Sequence, residues 1–551
     1  MTGPLIVQSD KTLLLEVDHE DALEARMAIA PFAELERAPE HIHTYRLTPL
    51  SLWNARAAGY DAETVIDALM EHSKYPVPHA LLIDIADTMD RYGRLQILPH
   101  PAHGLVLHSE EPAVLTEVAG AARTQGMLGA RIDENTIAVH PSERGALKQA
   151  LVKIGWPAED LAGHVDGEAH PIALAGQDEW RLRPYQEEAV GSFLDGGSGV
   201  VVLPCGAGKT LVAAGTLARL QTTALILVTN TVSARQWRAE LLRRTSLTED
   251  EIGEYSGAVK EIRPVTIATY QVLTTRRKKA YLHLELLDAR DWGLVVYDEV
   301  HLLPAPVFRM TADLQARRRL GLTATLVRED GREDEVFSLI GPKRFDTPWK
   351  DIEAQGYIAP ARCAEVRVTL SRGERMAYAT AEAEDQYRLA ACSPEKLDTV
   401  ERIMAAHPGE QTLVIGQYLD QLEETGERIG APVVTGQTPV SERERLFEGF
   451  RRGEVPALVV SKVANFSVDL PEASVSIQIS GSFGSRQEEA QRLGRVLRPK
   501  ADGRTAYFYT IVARDTVDQD FAARRQRFLA EQGYAYTIVD AADLQPGLLR
   551  D

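Results

Sequence analysis

The sequence predicts an α/β protein with two tandem lobes, each an open parallel sheet wrapped by helices, behind an N-terminal α+β module. Three observations lead there. A length of 551 residues is several times the usual domain size of about 100–200 residues, and the apolar content is near the globular average, so separate cores are expected. From Leu182 onward, short apolar runs alternate with amphipathic helical stretches in two successive series, the pattern of doubly covered parallel strands. The first 175 residues lack that alternation.

In chain order, the N-terminal part opens on a hairpin at Leu5–Val17, with Ser9-Asp10 as its turn, and a helix from about Glu20. Short helices follow over Leu50–Ala58, Ala62–His72 and Ala80–Tyr92, broken by Gly59, Pro76 and Pro78, and then a strand pair at Leu95–Leu98 and Leu105–Leu107. Three helices and a hairpin suit a winged-helix-like part. The region is acidic and offers no basic recognition helix, so binding a protein partner or packing on the lobes fits it as well. The first series of strands comprises Val200–Leu203, Ala224–Val228, Val265–Ala268, Leu294–Tyr297 and Leu320–Leu322. The second comprises Thr412–Ile415, Pro432–Val434, Ala457–Val460, Val475–Ile479 and Thr505–Ile511. Between them, Phe345 to His407 fits neither sheet pattern and holds a charged helical piece around Arg372–Arg388. The expected organisation is an N-terminal module over 1–175, a first lobe over 176–345, a connector over 346–410 and a second lobe over 411–551, ending in a helix and a strand.

A formal charge of −19 argues, taken whole, against a phosphate-rich partner. The imbalance is uneven: residues 1–175 carry 26 acidic against 13 basic side chains, which leaves 54 against 48 for the rest. Positive clefts are therefore compatible with the longer part. Cys205, Cys363 and Cys392 stand far apart without ligand or disulfide spacing, which points to a reducing compartment. The N-terminus shows no signal-peptide pattern, and no run approaches the ~20 apolar residues that span a bilayer, so a soluble cytoplasmic protein with no membrane partner is expected. Histidines at 41, 43, 72, 79, 100, 103 and 108 lack carboxylates at ligand spacing and read as ordinary surface residues.

Pro204-Cys205-Gly206-Ala207-Gly208-Lys209-Thr210 lies directly between a strand and a helix, the setting of a phosphate-binding loop. Glycines let backbone N–H groups close on phosphates, Lys209 reaches the β/γ oxygens, and the Thr210 hydroxyl suits Mg²⁺. Leu203 stands where the usual pattern has its first glycine. Strand Leu294–Tyr297 ends in Asp298-Glu299-Val300-His301, and a carboxylate pair at a strand's carboxyl end is where an open sheet places its site. Asp298 is the candidate Mg²⁺ partner and Glu299 the candidate activator of the attacking water. A solvated acidic strand end is the competing reading of that pair alone. Gln491-Arg492-Leu493-Gly494-Arg495-Val496-Leu497-Arg498 has helix-spaced polar residues at 491, 495 and 498, suited to reach a γ-phosphate held by the other lobe. Its plainer reading is a solvated basic helix.

Arg183-Pro184-Tyr185-Gln186, the phosphate loop, Asp298 to His301, Thr323-Ala324-Thr325 and the Gln491–Arg498 run occur in the order of superfamily-two helicases, and the chain resembles them over about residues 180–510. Leu203 to Thr210, Arg328-Glu329-Asp330 and Gln491 to Pro499 narrow the resemblance to the XPB family of DNA repair and transcription helicases, in a bacterial-type member. The resemblance implies RecA-like lobes, ATP and Mg²⁺ as cofactors, and 3′→5′ movement on single-stranded or forked DNA, with a nuclease or other repair or transcription protein as partner. It places Arg183 and Gln186 near the adenine, Pro204 to Thr210 and Gln491 around ATP, and Arg495 and Arg498 as catalytic fingers. His301, Thr323, Thr325 and Asp469 would couple the ATP state to lobe motion. It also implies a DNA-prying role for Arg328, Glu329 and Asp330, which Arg332-Glu333-Asp334 repeats, and a thumb-like insert at about 371–395 that is short here. Asn465 and Phe466 depart from the family's fifth motif.

Thr269-Tyr270-Gln271, where the superfamily tracks a phosphate strand, are the better DNA-contact candidates. Arg235, Arg238, Arg243, Arg244 and Arg276-Arg277-Lys278-Lys279 supply basic groups. Three alternatives compete: a duplex translocase that remodels protein–DNA complexes without separating strands, an RNA helicase, and a nucleotide-gated DNA clamp with little turnover.

Overall fold

Aliphatic runs that can be buried on both faces become the central strands of parallel sheets, because helices cover both sides. In the computed structural model of the chain that rule shapes both lobes. The structure describes residues 3–38, 41–176, 180–204, 206–277, 280–281, 283, 285–304, 307, 314–315, 317–324, 332–347, 349–357, 359–461, 473–481, 505–531, 534 and 536–544. The chain divides into two units. The first comprises Met1–Glu34, Thr44–Leu203 and Gly208–Thr347, and the second Leu35–His43, Pro204–Ala207 and Pro348–Asp551.

In the first unit, Leu5–Val7 and Thr12–Glu16 form the expected antiparallel hairpin. Helices Pro49–Ala57, Ala62–His72 and His79–Arg91 follow, and the first two start on side-chain caps from Thr48 and Asp61. The strand pair Leu95–His100 and Gly104–His108 is present but belongs to something larger. Leu128–Asp133, Thr136–Val139 and Ala158–Asp160 join it in a five-stranded sheet, with helices Pro112–Gly120 and Arg144–Lys153 packed around Leu107, Leu115, Val118, Leu147 and Leu151. This small module is fixed to the adjoining lobe by Trp53, Val152 and Phe337, with the two rings' centroids 6.4 Å apart. A buried ion cluster adds to it. Asp160 accepts from Arg144 Nη2 at 2.8 Å and from Lys148 Nζ at 2.9 Å, and Lys148 also reaches Gln315 Oε1 at 3.0 Å. Burial, against the pull of Asp160, lowers the Lys148 ammonium to about 8.

The first lobe contains β1 (Ser198–Val202), β2 (Ala224–Val228), β3 (Ile252–Tyr255), β4 (Val265–Thr269), β5 (Leu294–Asp298), β6 (Arg318–Thr323) and β7 (Lys343–Asp346). They run parallel in the order β3-β4-β2-β5-β6-β1-β7. The five expected strands are present. The two that the sequence did not announce, β3 and β7, are the edges, where burial on both faces is not required and the apolar run is broken.

The second lobe contains β8 (Ala361–Val368), β9 (Thr412–Gly416), β10 (Val433–Val434), β11 (Ala457–Ser461), β12 (Val475–Gln478), β13 (Ala506–Ala513) and β14 (Tyr536–Asp540). These are again parallel, in the order β10-β11-β9-β12-β13-β8-β14. β8 comes from the stretch that fitted neither sheet pattern, and it pairs with β13 along its full length. Its alternation is masked by Arg362, Glu365 and Arg367. The buried Glu365 is satisfied by Arg367 Nε at 2.7 Å and Gln526 Nε2 at 2.6 Å. The charged piece after it forms helices Arg372–Thr380 and Ala383–Ala391. Deeper in this lobe, Lys396 and Asp518 form an ion pair of 2.7 Å with side chains 0% and 1% exposed. Among the described residues, no helix is long and apolar enough to cross a membrane.

Candidate active site

Three strands of the first lobe carry the expected motifs, and the sheet order makes them neighbours. β6 lies between β5 and β1, with Asp298 in register with Leu322 and Val202 with Thr323. The carboxyl ends of all three therefore open at one level, the position of ligand sites in open α/β sheets. Leu203, in place of the usual first glycine, still belongs to this ladder, since its N–H donates to Thr323 O at 2.9 Å. The residue is buried strand end rather than curved loop, so no glycine is needed there.

Past Leu203, Gly206 and Gly208 both have φ of +81°, in the left-handed region that favours glycine. Gly208 has a second constraint: a Cβ there would lie 2.4 Å from Gln186 Nε2. Gln186 is itself 1% exposed, and its Oε1 accepts from the Arg183 N–H at 2.9 Å, fixing the start of helix Pro184–Gly196. The expected adenine-side residue thus packs directly on the phosphate loop. Lys209 and Thr210 begin helix Lys209–Leu220.

Lys209 Nζ lies 3.3 Å from Glu299 Oε1. Glu299 reaches it from a backbone with φ of +48°, a conformation that costs a non-glycine residue about 1–3 kcal/mol. Local hydrogen bonds hold it there: its N–H donates to Asp298 Oδ1 at 3.1 Å, and its carbonyl accepts from Leu302 N at 2.8 Å. His301 Nδ1 sits 2.6 Å from Thr323 Oγ1 and 3.5 Å from Glu299 Oε2, which connects the turn after β5 to the end of β6. Asp298 is held on the opposite side. Its Oδ2 accepts from Trp237 Nε1 at 2.8 Å and its carbonyl from the Tyr270 hydroxyl at 2.8 Å.

The two acids are pushed apart electrostatically. Burial, with the neighbouring Glu299 adding to it, raises Asp298 above the ordinary carboxylate range. Burial would raise Glu299 as well, but Lys209 and then His301 outweigh it and hold that carboxyl low. A pair of close acids in which one resists ionisation is a site that gains from a bound cation. The Thr210 hydroxyl and Asp298 carboxylate are hard oxygen donors, the kind Mg²⁺ takes when nucleotide phosphates and water complete its shell.

Other expected residues are placed differently. Thr269 and Tyr270 are 2% and 3% exposed, so of the trio only Gln271 presents its side chain to solvent. The Thr269 and Tyr270 side chains are buried instead, with Tyr270 drawn inward to the Asp298 carbonyl. Arg238 is engaged with the Ile252 and Glu249 carbonyls at 2.8 and 3.1 Å, and Arg244 with Glu240 and the Trp180 ring. Arg235 and Arg243 are exposed. His43 and His72, expected at the surface, are buried. Cys205, Thr325, Arg328, Glu329, Asp330, Asp469, Gln491, Arg495 and Arg498 lie outside the described residues. Trp237 was missed, and nothing in its helix distinguishes it from an ordinary core residue.

Comparison with known proteins identifies relatives along nearly the whole chain. A family model described as ERCC3/RAD25/XPB C-terminal helicase matches residues 352–546. Models described as type III restriction enzyme, res subunit, and helicase conserved C-terminal domain match residues 179–328 and 5–133. A Kineococcus radiotolerans protein named DNA 3'-5' helicase XPB is 72% identical, over 99% of this chain and 98% of its own length. A Mycobacterium tuberculosis protein of the same name is 70% identical, over 98% of each. An Enterocytozoon bieneusi protein named general transcription and DNA repair factor IIH helicase/translocase subunit XPB is 30% identical, over 98% of this chain and 93% of its own.

Proposed function

The chain belongs to the XPB family of superfamily-two DNA helicases, and we propose that it drives 3′→5′ movement along DNA by ATP hydrolysis at Lys209, Asp298 and Glu299, in the service of DNA repair. The observation that carries the reading is the meeting of Lys209 with Glu299, 3.3 Å apart, at adjacent strand ends beside Asp298.

Each residue has a chemical task. Gly206 and Gly208 let the loop backbone curve so that its N–H groups face phosphate oxygens. Lys209 neutralises the β/γ oxygens, and Thr210 and Asp298 hold Mg²⁺, which when bound supplies further charge neutralisation. Glu299 orients the attacking water and takes its proton. A phosphate oxygen competing for the Lys209 ammonium weakens the ion pair with Glu299, so this carboxylate becomes more basic as substrate settles. Arg495 and Arg498, from the second lobe, add positive charge as the γ-phosphoryl leaves, which ties hydrolysis to lobe closure. Gln271 and the exposed Arg235 and Arg243 contact the DNA backbone, positioning it without reading sequence. A nuclease or another repair protein fits as partner of the acidic N-terminal module.

Strand displacement tests the reading. Given ATP and Mg²⁺, the protein is expected to release the shorter strand from a duplex with a 3′ single-stranded tail and to leave a 5′-tailed duplex intact. Hydrolysis without displacement on either would replace unwinding by duplex translocation, and stimulation by RNA alone would redirect the assignment to RNA.

A further inference from the structure

Two aromatic side chains from separate elements converge on Asp298. Trp237 lies on the 14-residue helix Thr231–Arg244 that follows β2, is 3% exposed, and donates Nε1–H to Asp298 Oδ2 at 2.8 Å. Tyr270 opens the short helix Tyr270–Thr274 that follows β4, is likewise 3% exposed, and donates its hydroxyl to the Asp298 carbonyl at 2.8 Å. In the sheet order β4-β2-β5, the tyrosine must reach across the end of β2 to do so.

The two bonds control different things. The Asp298 carboxylate has one oxygen on the Trp237 indole and the other on the Glu299 N–H at 3.1 Å, so its plane is set. The carbonyl held by Tyr270 belongs to the peptide that leads into Glu299, whose φ of +48° directs its carboxylate to Lys209. Trp237 therefore orients the acid proposed to hold the metal, and Tyr270 the turn that presents the acid proposed to activate water. Both aromatics are rooted in elements that follow the carboxyl ends of the adjacent strands β2 and β4 and that carry exposed residues: Thr231, Val232 and Arg235 on one, Gln271 on the other.

We propose that Trp237 and Tyr270 are positioning residues through which a nucleic-acid strand lying along the ends of β2 and β4 acts on Asp298 and Glu299. This rests on the reading that DNA runs there. Displacement of either helix by a fraction of an ångström lengthens a bond whose angle and distance are restrictive, and so turns the acid it holds. The pair converts strand occupancy into the alignment of the hydrolytic carboxylates, without touching strand or nucleotide.

Trp237→Phe and Tyr270→Phe keep the ring and remove one hydrogen bond each. Three quantities are read on the full chain: affinity for a labelled single strand by anisotropy, affinity for a fluorescent ATP analogue with Mg²⁺, and the ratio of strand-stimulated to basal turnover. Both affinities are expected to stay within about threefold while the ratio falls about tenfold, the effect of losing one hydrogen bond to a charged or strained acceptor. Independently of turnover, the Trp237 part of the emission, obtained by subtracting the spectrum of Trp237→Phe, is expected to change when the strand binds, and an emission indifferent to the strand would overturn the part assigned to Trp237. A ratio unchanged with both affinities intact overturns the proposal. So does a loss that tracks strand affinity, which would make these residues contacts, or an equal loss in Ile226→Val, a β2 core variant matched for melting temperature. An unstimulated wild type sinks both this proposal and the reading beneath it, whereas a stimulated wild type with equally stimulated variants sinks this one alone.

Discussion

Glu299→Gln is expected to bind nucleotide about as tightly as the wild type while its DNA-stimulated turnover falls about 10²–10⁴-fold, the usual contribution of a positioned general base. The amide matches the carboxylate in size, so the left-handed turn at φ of +48° can persist, and the loss falls on kcat rather than KM. Proton acceptance disappears, and so does the charge that faces Lys209 at 3.3 Å. Without the carboxylate's pull, the Lys209 ammonium turns more readily to phosphate, which favours nucleotide binding. Steady-state phosphate release together with a fluorescent-nucleotide titration checks both halves, and full turnover in this variant would remove Glu299 from its assigned role.

Asp518→Ala is expected to destabilise the second lobe by about 3–5 kcal/mol, because it leaves the Lys396 ammonium in a site with no solvent access. Asp518 Oδ2 accepts from Lys396 Nζ at 2.7 Å and from the Ala513 N–H at 3.0 Å, so the substitution also removes an acceptor at the end of β13. Lys396 Nζ also donates to the Ile479 carbonyl at 2.9 Å, a neutral acceptor that does not replace a carboxylate's charge. Hydrogen exchange along Ala506–Ala513 reports the loss without assuming that both units unfold together. The double variant Lys396→Met/Asp518→Leu, which removes both charges and keeps much of the volume, should recover most of it. Equal loss in the single and double variants would show that packing, rather than an unpaired charge, is at stake.

The central strands of both lobes were legible because burial on both faces forces continuous aliphatic runs, as at Val200–Val202 and Leu458–Val460. Edge strands escape that requirement, which is why Ile252–Tyr255 and Lys343–Asp346 went unannounced. Ala361–Val368 escaped for another reason: a charged residue inside a strand is acceptable once Arg367 and Gln526 satisfy Glu365, and such a partner 161 residues away is invisible in a local pattern.

The site divides along the same line. Lys209, Asp298 and Glu299 announce themselves through short-range spacing at strand ends. Trp237 does not, because its link to Asp298 spans 61 residues and exists only once the sheet order sets the helix after β2 beside β5. Tyr270 was picked out as a DNA-contact candidate, yet its side chain is buried with the hydroxyl on the Asp298 carbonyl, since position within a motif says nothing of which way a side chain turns. Folding thus adds to the motifs two aromatic supports, Trp237 on the Asp298 carboxylate and Tyr270 on the Asp298 carbonyl, that hold the acids in place.

DNA-dependent hydrolysis at this site is the claim on which the rest depends, and steady-state phosphate release by the wild-type chain, with and without single-stranded DNA, measures it directly. Stimulation of about tenfold or more is predicted, as expected when a partner completes the alignment of a catalytic constellation. Turnover that is slow and indifferent to DNA would contradict it, and would make the lobes a nucleotide-gated clamp rather than a motor.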